Sequence, residues 1–219
     1  MPEQRTYVFA GGDPGSIAYL KTFEYAGSFL VAVDRGLNVM NLLGLVPDLF
    51  VGDGDSAAPE LLTALDHRRT HVVLLPEHKD VSDLEAAFDL LIALGQRGDM
   101  VLLAGLGGRM DHLMFNLLLA ARHVINFHSI VFEDSGYTAR PLADAQVLQL
   151  PPGTTVSFVP VTREIELTLV GFEYPLTHDV IQEGSTRTLS NVVRDPIQQV
   201  IVDKGTAMMI ARKVPGDIS

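Results

Sequence analysis

Leu49-Phe50-Val51-Gly52-Asp53-Gly54-Asp55-Ser56 reads as an apolar strand ending in a glycine-hinged loop that carries two carboxylates one residue apart. Such a pair at the end of a buried strand is a ready site for a hard divalent cation. Asp-Gly also signals a two-residue hairpin turn, and the choice between these readings decides the fold. A hairpin needs a second strand at once. Ala57-Ala58-Pro59-Glu60-Leu61-Leu62 instead places Pro and Glu where the first turn of a helix takes them. Strand, loop and helix in that order form the repeating unit of a parallel sheet.

The unit recurs on both sides. Tyr7-Val8-Phe9-Ala10 is a short strand running into Gly11-Gly12-Asp13-Pro14-Gly15, which lacks the dinucleotide fingerprint and suits a phosphate or a structural turn equally. Phe29–Val33 is apolar throughout, as a strand covered on both faces should be, and it ends at Asp34-Arg35-Gly36-Leu37-Asn38. Val39–Leu43 reads as a short helix stopped by Gly44. His71–Leu75 is a fourth strand, followed by Pro76-Glu77-His78-Lys79-Asp80-Val81-Ser82-Asp83. Ser82 and Glu85 have capping-box spacing, which predicts a helix from Asp83 to Leu94 ending at Gly95. In its first turn Asp83 could answer the helix dipole or do chemistry.

Met100–Ala104 is a fifth strand, and Gly105-Leu106-Gly107-Gly108-Arg109-Met110-Asp111-His112 opens a helix running to about Arg122. Glycines before a helix start expose backbone donors and Arg109 adds a fixed positive fork, both suited to phosphate. His112 taken alone fits packing as well as function, and His67, His71, His78, His123 and His128 show no metal-ligand spacing. Ile130–Phe132 closes this half. In parallel sheets ligands sit beyond the carboxyl ends of the strands. Asp34, Asp53, Asp55, Lys79, Asp80, Asp83, Arg109 and Asp111 all fall in loops that follow strands, so the fold should gather them along one rim. That convergence is the main functional evidence in the sequence.

Composition narrows the partners. A formal net charge of −11 over 219 residues argues against nucleic acid and anionic membrane surfaces. With no Cys there is no thiolate metal site and no disulfide framework. Met1-Pro2-Glu3-Gln4-Arg5 lacks the basic start and apolar core of a signal peptide, so the expectation is a cytoplasmic protein.

After about Tyr137 the texture changes to short alternating runs, Gln146–Leu150, Thr155–Val159 and Ile165–Leu169, separated by Pro- and Gly-rich turns. Gln199–Asp203 and Thr206–Ala211 read as a final hairpin through Lys204-Gly205. The expected fold class is α/β. A Rossmann-like parallel-sheet domain (1–138) precedes a small all-β domain, sandwich or barrel, over 139–219. The hydroxyl- and amide-rich stretch from Ser185 to Asn191 fits an ordinary polar loop.

Taken together, these residues resemble the bacterial thiamine pyrophosphokinase (thiamine diphosphokinase) family over nearly the whole length. Asp34-Arg35-Gly36-Leu37-Asn38, Gly52 to Ser56, Lys79-Asp80-Val81-Ser82-Asp83, Gly107 to His112, Tyr174-Pro175-Leu176 and Gly184-Ser185-Thr186-Arg187 through Ser190-Asn191 match its motifs in order and spacing. Arg35, Leu37, Gly54 and Ser82 depart from the usual residues and spare the acidic groups.

The resemblance implies diphosphate transfer from ATP to thiamine, with Mg²⁺ on Asp53, Asp55 and Asp83. It implies Asp83 or Asp80 as proton acceptor, and Lys79 and Arg109 on phosphate. It further implies Asp34, Gly36, Asn38, Asp111 and His112 at the nucleotide. The family's thiamine lies between the α/β domain of one subunit and the β domain of its partner. That would bring Ser190 and Asn191 to a substrate shared with Asp83 across a homodimer. The rival readings are diphosphate transfer to another hydroxymethyl heterocycle, such as a pterin, and a non-catalytic thiamine- or nucleotide-binding sensor.

Overall fold

The computed structural model describes residues 4–54 and 58–213, and the chain divides into two compact units. The first takes in the chain up to Leu119 together with Asn126–Asp134; the second takes in Ala120–Ile125 and the chain from Ser135 onward. The main passage between them thus falls just before the expected boundary, because Tyr137–Leu142 already forms a strand of the second unit.

The first unit runs β1 (Thr6–Phe9), α1 (Ile17–Leu20), β2 (Phe29–Val33), α2 (Gly36–Leu43), β3 (Leu49–Gly52), α3 (Pro59–Thr63), β4 (His71–Leu74), α4 (Asp83–Ala93), β5 (Asp99–Leu103), α5 (Met110–Arg122), which belongs to it up to Leu119, and β6 (Ser129–Glu133). Its strands lie in the order β6-β5-β1-β2-β3-β4, all parallel. β1 and β3 are buried along their whole length, which is why their sequences are apolar rather than alternating. Tyr7, Phe9, Ala32, Met40 and Phe50 belong to one core cluster.

Local chemistry sets the helix ends. Ser82 caps α4 by accepting a hydrogen bond from the Glu85 N–H at 3.1 Å, and Gly95 beyond its end takes a left-handed φ of 75°. α2 begins at Gly36, three residues before the start the sequence suggests. A Cβ on Gly36 would lie 1.8 Å from the Phe9 carbonyl oxygen, so only glycine lets α2 start this close to β1.

The second unit contains β7 (Tyr137–Leu142), β8 (Ala145–Leu148), β9 (Thr155–Pro160), β10 (Glu164–Val170), β11 (Leu176–Gln182), β12 (Asn191–Val192), β13 (Gln198–Lys204) and β14 (Ala207–Arg212). Two antiparallel layers form, β12-β9-β14-β7 and β11-β10-β13-β8. Val156, Phe158 and Met209 from one layer share a core with Ile165, Leu167, Leu169 and Val200 from the other, which makes the unit a sandwich.

The expected final hairpin does not form. β13 pairs with β10 and β8, whereas β14 pairs with β9 and β7. Lys204-Gly205 is therefore a corner where the chain changes layer. Gly205 has φ 79°, and a Cβ there would meet the Glu164 carbonyl oxygen and Thr162 Oγ1 at 2.4 Å each. A Gly turn signal is the same for a hairpin and for such a corner, because both need positive φ.

Candidate active site

The carboxyl ends of β2 and β3, the loop after β4 and the start of α4 hold the acidic rim. α4 packs against β3 and β2, which carries its first residue, Asp83, toward the strand ends. Asp34 follows β2 directly with φ 49°, a conformation that Asp tolerates better than most residues, and its N–H donates to the Val51 carbonyl of β3 at 2.9 Å. Asp53 follows β3. Lys79 Nζ lies 3.1 Å from Asp83 Oδ1 and 3.4 Å from Asp53 Oδ2, and it also donates to the Pro76 carbonyl at 3.2 Å. All three side chains are partly buried, at 14 to 20 % exposure, so the pairing is far less screened than a surface salt bridge.

Electrostatics distinguishes the members. Burial works against the charge of Lys79, but Asp83 and Asp53 outweigh it and hold the ammonium above its ordinary pKa. Burial raises the pKa of Asp34 and the Asp83 charge raises it further, with Asp53 adding to the effect; a hydrogen bond from the Arg35 N–H offsets part of this. Asp34 Oδ1 is buried and finds no hydrogen-bond partner among the described residues. Two carboxylates share the one ammonium, and a third, Asp34, feels the charge of both, so the rim carries an excess of negative charge that suits a divalent cation such as Mg²⁺. Asp80 stands exposed next to Lys79. Asp55, expected beside Asp53, lies outside the described residues.

The strand order reverses between β1 and β5, the point where such sheets bind ligands. Their two loops are packed together there: the Gly12 N–H donates to the Ala104 carbonyl at 3.0 Å, and Asp13 bridges to Gly107. A Cβ on Gly12 would sit 2.6 Å from the Ala104 oxygen, so this loop is a brace for Gly105–Arg109. Gly12 and Asp13 thus have the structural role that the sequence allowed for Gly11–Gly15.

Arg109 forms a two-pronged pair with Asp111, Nε to Oδ1 at 3.1 Å and Nη2 to Oδ2 at 2.5 Å. The Arg109 hydrogen bond lowers the Asp111 pKa to about 2. Both are exposed, as is His112 beside them.

Two residues expected at the nucleotide do structural work. Gly36 is buried and makes room for the Phe9 carbonyl. Asn38 Oδ1 accepts from the Ala58 N–H at 3.2 Å, tying α2 to the segment that returns from the Asp53 loop.

In the second unit a cavity of about 380 Å³ is lined by Glu173–Leu176, Arg187–Leu189 and Asn191. Tyr174 and Leu189 are largely exposed over it, and Arg187 pairs with Asp179 at 2.8 Å. Asn191 is 3 % exposed, and its carboxamide is closed on the backbone of Tyr174, accepting from N–H at 3.0 Å and donating to C=O at 2.8 Å. Asn191, expected at the substrate, thus holds the loop that lines the cavity and contributes to that lining itself. Ser190 is exposed, with φ 57° and its N–H donated to Ser157 Oγ at 2.9 Å. Tyr174 and Leu189 as cavity walls were not separable in the sequence from ordinary loop residues; the one available signal was the Tyr174-Pro175-Leu176 run.

Comparison with known proteins bears on both units. Residues 21–132 match a family model described as thiamin pyrophosphokinase, catalytic domain, and residues 145–206 match thiamin pyrophosphokinase, vitamin B1 binding domain. A curated thiamine pyrophosphokinase from Bacillus subtilis (strain 168) is 28 % identical over 215 residues, covering 93 % of this chain and 96 % of that protein. The crystal structure of thiamine pyrophosphokinase from Bacillus subtilis superposes with TM-score 0.84 at 26 % identity, covering 96 % of this chain and 99 % of the other. That of Geobacillus thermodenitrificans gives 0.81 at 26 % identity, covering 97 % and 99 %. The Candida albicans enzyme shares the fold at TM-score 0.82 with 12 % identity, covering 97 % of this chain and 90 % of the other.

Proposed function

The chain belongs to the thiamine pyrophosphokinase family, and from that premise we propose how its residues carry the reaction. The activity is ATP-dependent formation of thiamine diphosphate, and matches to both family domains favour thiamine over another hydroxymethyl heterocycle and an enzyme over a sensor. The thiamine hydroxyl oxygen bonds to the β-phosphorus of ATP, the bridge from that phosphorus to the α-phosphate oxygen breaks, and AMP leaves with the electron pair. Positioning and electrostatics carry most of such a transfer.

The observation that carries the site assignment is Lys79 held between Asp53 and Asp83, whose charges also reach the half-buried Asp34. Asp53 and Asp83, with Asp55, are the residues we assign to Mg²⁺, which when bound neutralises charge on the transferred phosphates. Lys79 then exchanges carboxylate oxygens for phosphate oxygens, and Asp34 adds negative charge behind the pair. Arg109, its fork set by Asp111, meets phosphate from the switch-point loop, with His112 exposed alongside. The hydroxyl proton passes to a carboxylate of the Asp80–Asp83 turn, and comparison of Asp80→Asn with Asp83→Asn assigns which.

Thiamine's cationic thiazolium ring suits the cavity beside Tyr174 and Leu189, since an exposed aromatic face attracts a cation. It lies within the region matched to the vitamin B1 binding domain. Ser190, at the end of the polar loop, is the hydroxyl we assign to the substrate there, and Asn191 supports it through Tyr174.

We place the enzyme as a homodimer with sites shared between subunits. α5 supports this by exposing Met110, Met114, Phe115 and Leu118, mostly one turn apart, as an apolar stripe that a second copy would cover. Among the described residues no helix is long and apolar enough to cross a membrane. The need for ATP supports the cytoplasm as the compartment.

Single-turnover incubation with ATP labelled at the β-phosphate, Mg²⁺ and thiamine tests the reading. Label should appear in thiamine diphosphate, and label in inorganic phosphate or ADP would overturn it. A pterin alcohol in place of thiamine should yield no labelled product.

A further inference from the structure

β10 is flanked by two bulges. Opposite β13 the register steps from Glu166–Lys204 to Leu167–Val202, which leaves Asp203 as the extra residue. Opposite β11 it steps from Leu167–Asp179 to Leu169–Leu176, so that His178 sits in an extra position. His178 takes a left-handed φ of 51°, and its N–H is held by Thr168 Oγ1 at 3.0 Å. Bulges re-aim side chains, and these two turn an imidazole and a carboxylate from opposite sides toward Glu166 on the central strand.

His178 Nδ1 lies 3.1 Å from Glu166 Oε1 and 3.2 Å from Asp203 Oδ2, and the three ligand atoms all lie within 4.8 Å of one another. Metal–nitrogen and metal–oxygen bonds near 2.1 Å give ligand-to-ligand edges of about 3.0 Å in an octahedron and about 3.4 Å in a tetrahedron, which brackets both contacts. Lys204, the nearest cation on β13, turns its ammonium to Glu164 at 2.6 Å and so does not occupy the group. Among the described residues this is the only cluster of its kind, and it lies in the second unit, away in sequence from every residue of the acidic rim.

We propose that Glu166, His178 and Asp203 form a binding site for a first-row divalent transition metal of the Zn²⁺ or Mn²⁺ type, stapling β11, β10 and β13. One imidazole nitrogen with two carboxylate oxygens selects such an ion over Mg²⁺, which takes oxygen ligands throughout. All three residues stand on strands, so little needs ordering when the ion binds. His178 is 65 % exposed, which leaves the remaining coordination positions to water and the site open to exchange.

Zn²⁺ alone, without ATP or thiamine, would be titrated calorimetrically into the metal-free wild type, His178→Ala and Asp53→Asn. The wild type and Asp53→Asn should share a binding event that His178→Ala weakens at least ~10-fold, the least expected on losing one of three ligands. Zn²⁺ should also raise the Tm of the wild type and not of His178→Ala, while the turnover of that variant with Mg²⁺ is unchanged. Asp203→Asn repeats the test should His178→Ala fail to fold. Equal Zn²⁺ binding by the wild type and both β-strand variants would overturn the site and leave His178 as a charge bridge between two carboxylates.

Discussion

Asn191 holds the backbone of Tyr174 at both its N–H and its C=O, across seventeen residues of sequence. The buried amide thus fixes one wall of a cavity that Asn191 itself helps to line. Asn191→Ala should leave two backbone groups unpaired and loosen that wall. The expected result is a KM for thiamine raised at least ~10-fold with a smaller change in kcat, measured by steady-state kinetics at saturating ATP. Unchanged KM would mean that the Tyr174 loop takes no part in substrate binding.

Neutralising the rim should stop the chemistry and spare the fold. Asp53→Asn and Asp83→Asn are each expected to lower kcat by at least ~100-fold, a few kcal/mol of transition-state stabilisation. Circular dichroism should remain that of the wild type, since Lys79 keeps one carboxylate partner in either variant. Wild-type turnover at saturating Mg²⁺ in either would refute the metal assignment.

Asp34 offers the opposite contrast between stability and activity. Its folded pKa is raised above the ordinary 3.8, so its protonated form is the one the fold favours. That advantage is fully present below the unfolded value and disappears as pH rises through the folded value, leaving a strained charge at neutral pH. Asp34→Asn removes the charge while keeping a residue that tolerates φ 49°. At pH 7 without ligands it should melt higher than the wild type, by roughly 2–4 °C for each ~1 kcal/mol of repulsion relieved, and be nearly inactive. A lower Tm would show that the carboxylate is needed for folding.

The Arg109–Asp111 fork can be read by NMR. Asp111 titrates near 2 because of the Arg109 hydrogen bond, so its folded pKa lies below the unfolded one. Whatever stability the pair adds is present above 3.8 and is lost as pH falls toward 2. In Arg109→Ala the Asp111 carboxyl resonance should titrate back near 3.8, and the KM for ATP should rise. Titration that stays near 2 would mean another donor sets the pair.

Sharing of sites between subunits is testable by mixing. Asn191→Ala and Asp83→Asn homodimers should each be poorly active, and subunit exchange should restore one intact site per heterodimer. A mixture no more active than its parents would place both residues in one chain's site.

The sequence by itself determined the parallel sheet and the acidic rim. Apolar runs such as Phe29–Val33 and Leu49–Val51, each followed by a helix start, read as strands buried on both faces, and each ended at a charged loop that the topology carries to the same edge. Caps and stops at Ser82, Gly44 and Gly95 were equally legible, because the atoms that make them are neighbours in the chain. Tertiary structure alone decided what depended on partners far apart in sequence. The packing need for Gly36, whose Cβ would stand 1.8 Å from the Phe9 carbonyl oxygen, depends on a strand twenty-odd residues earlier in the chain. Lys204-Gly205 looked like a hairpin turn until β13 and β14 were found in different layers. That the Asn191 amide grips both backbone groups of Tyr174 could not be read from the polar loop that contains it. Glu166, His178 and Asp203 carry no spacing signal, because antiparallel pairing and two bulges bring together residues twelve and more positions apart. Periodicity and capping are written locally, whereas which side chain meets which is fixed only when strands pair and layers pack.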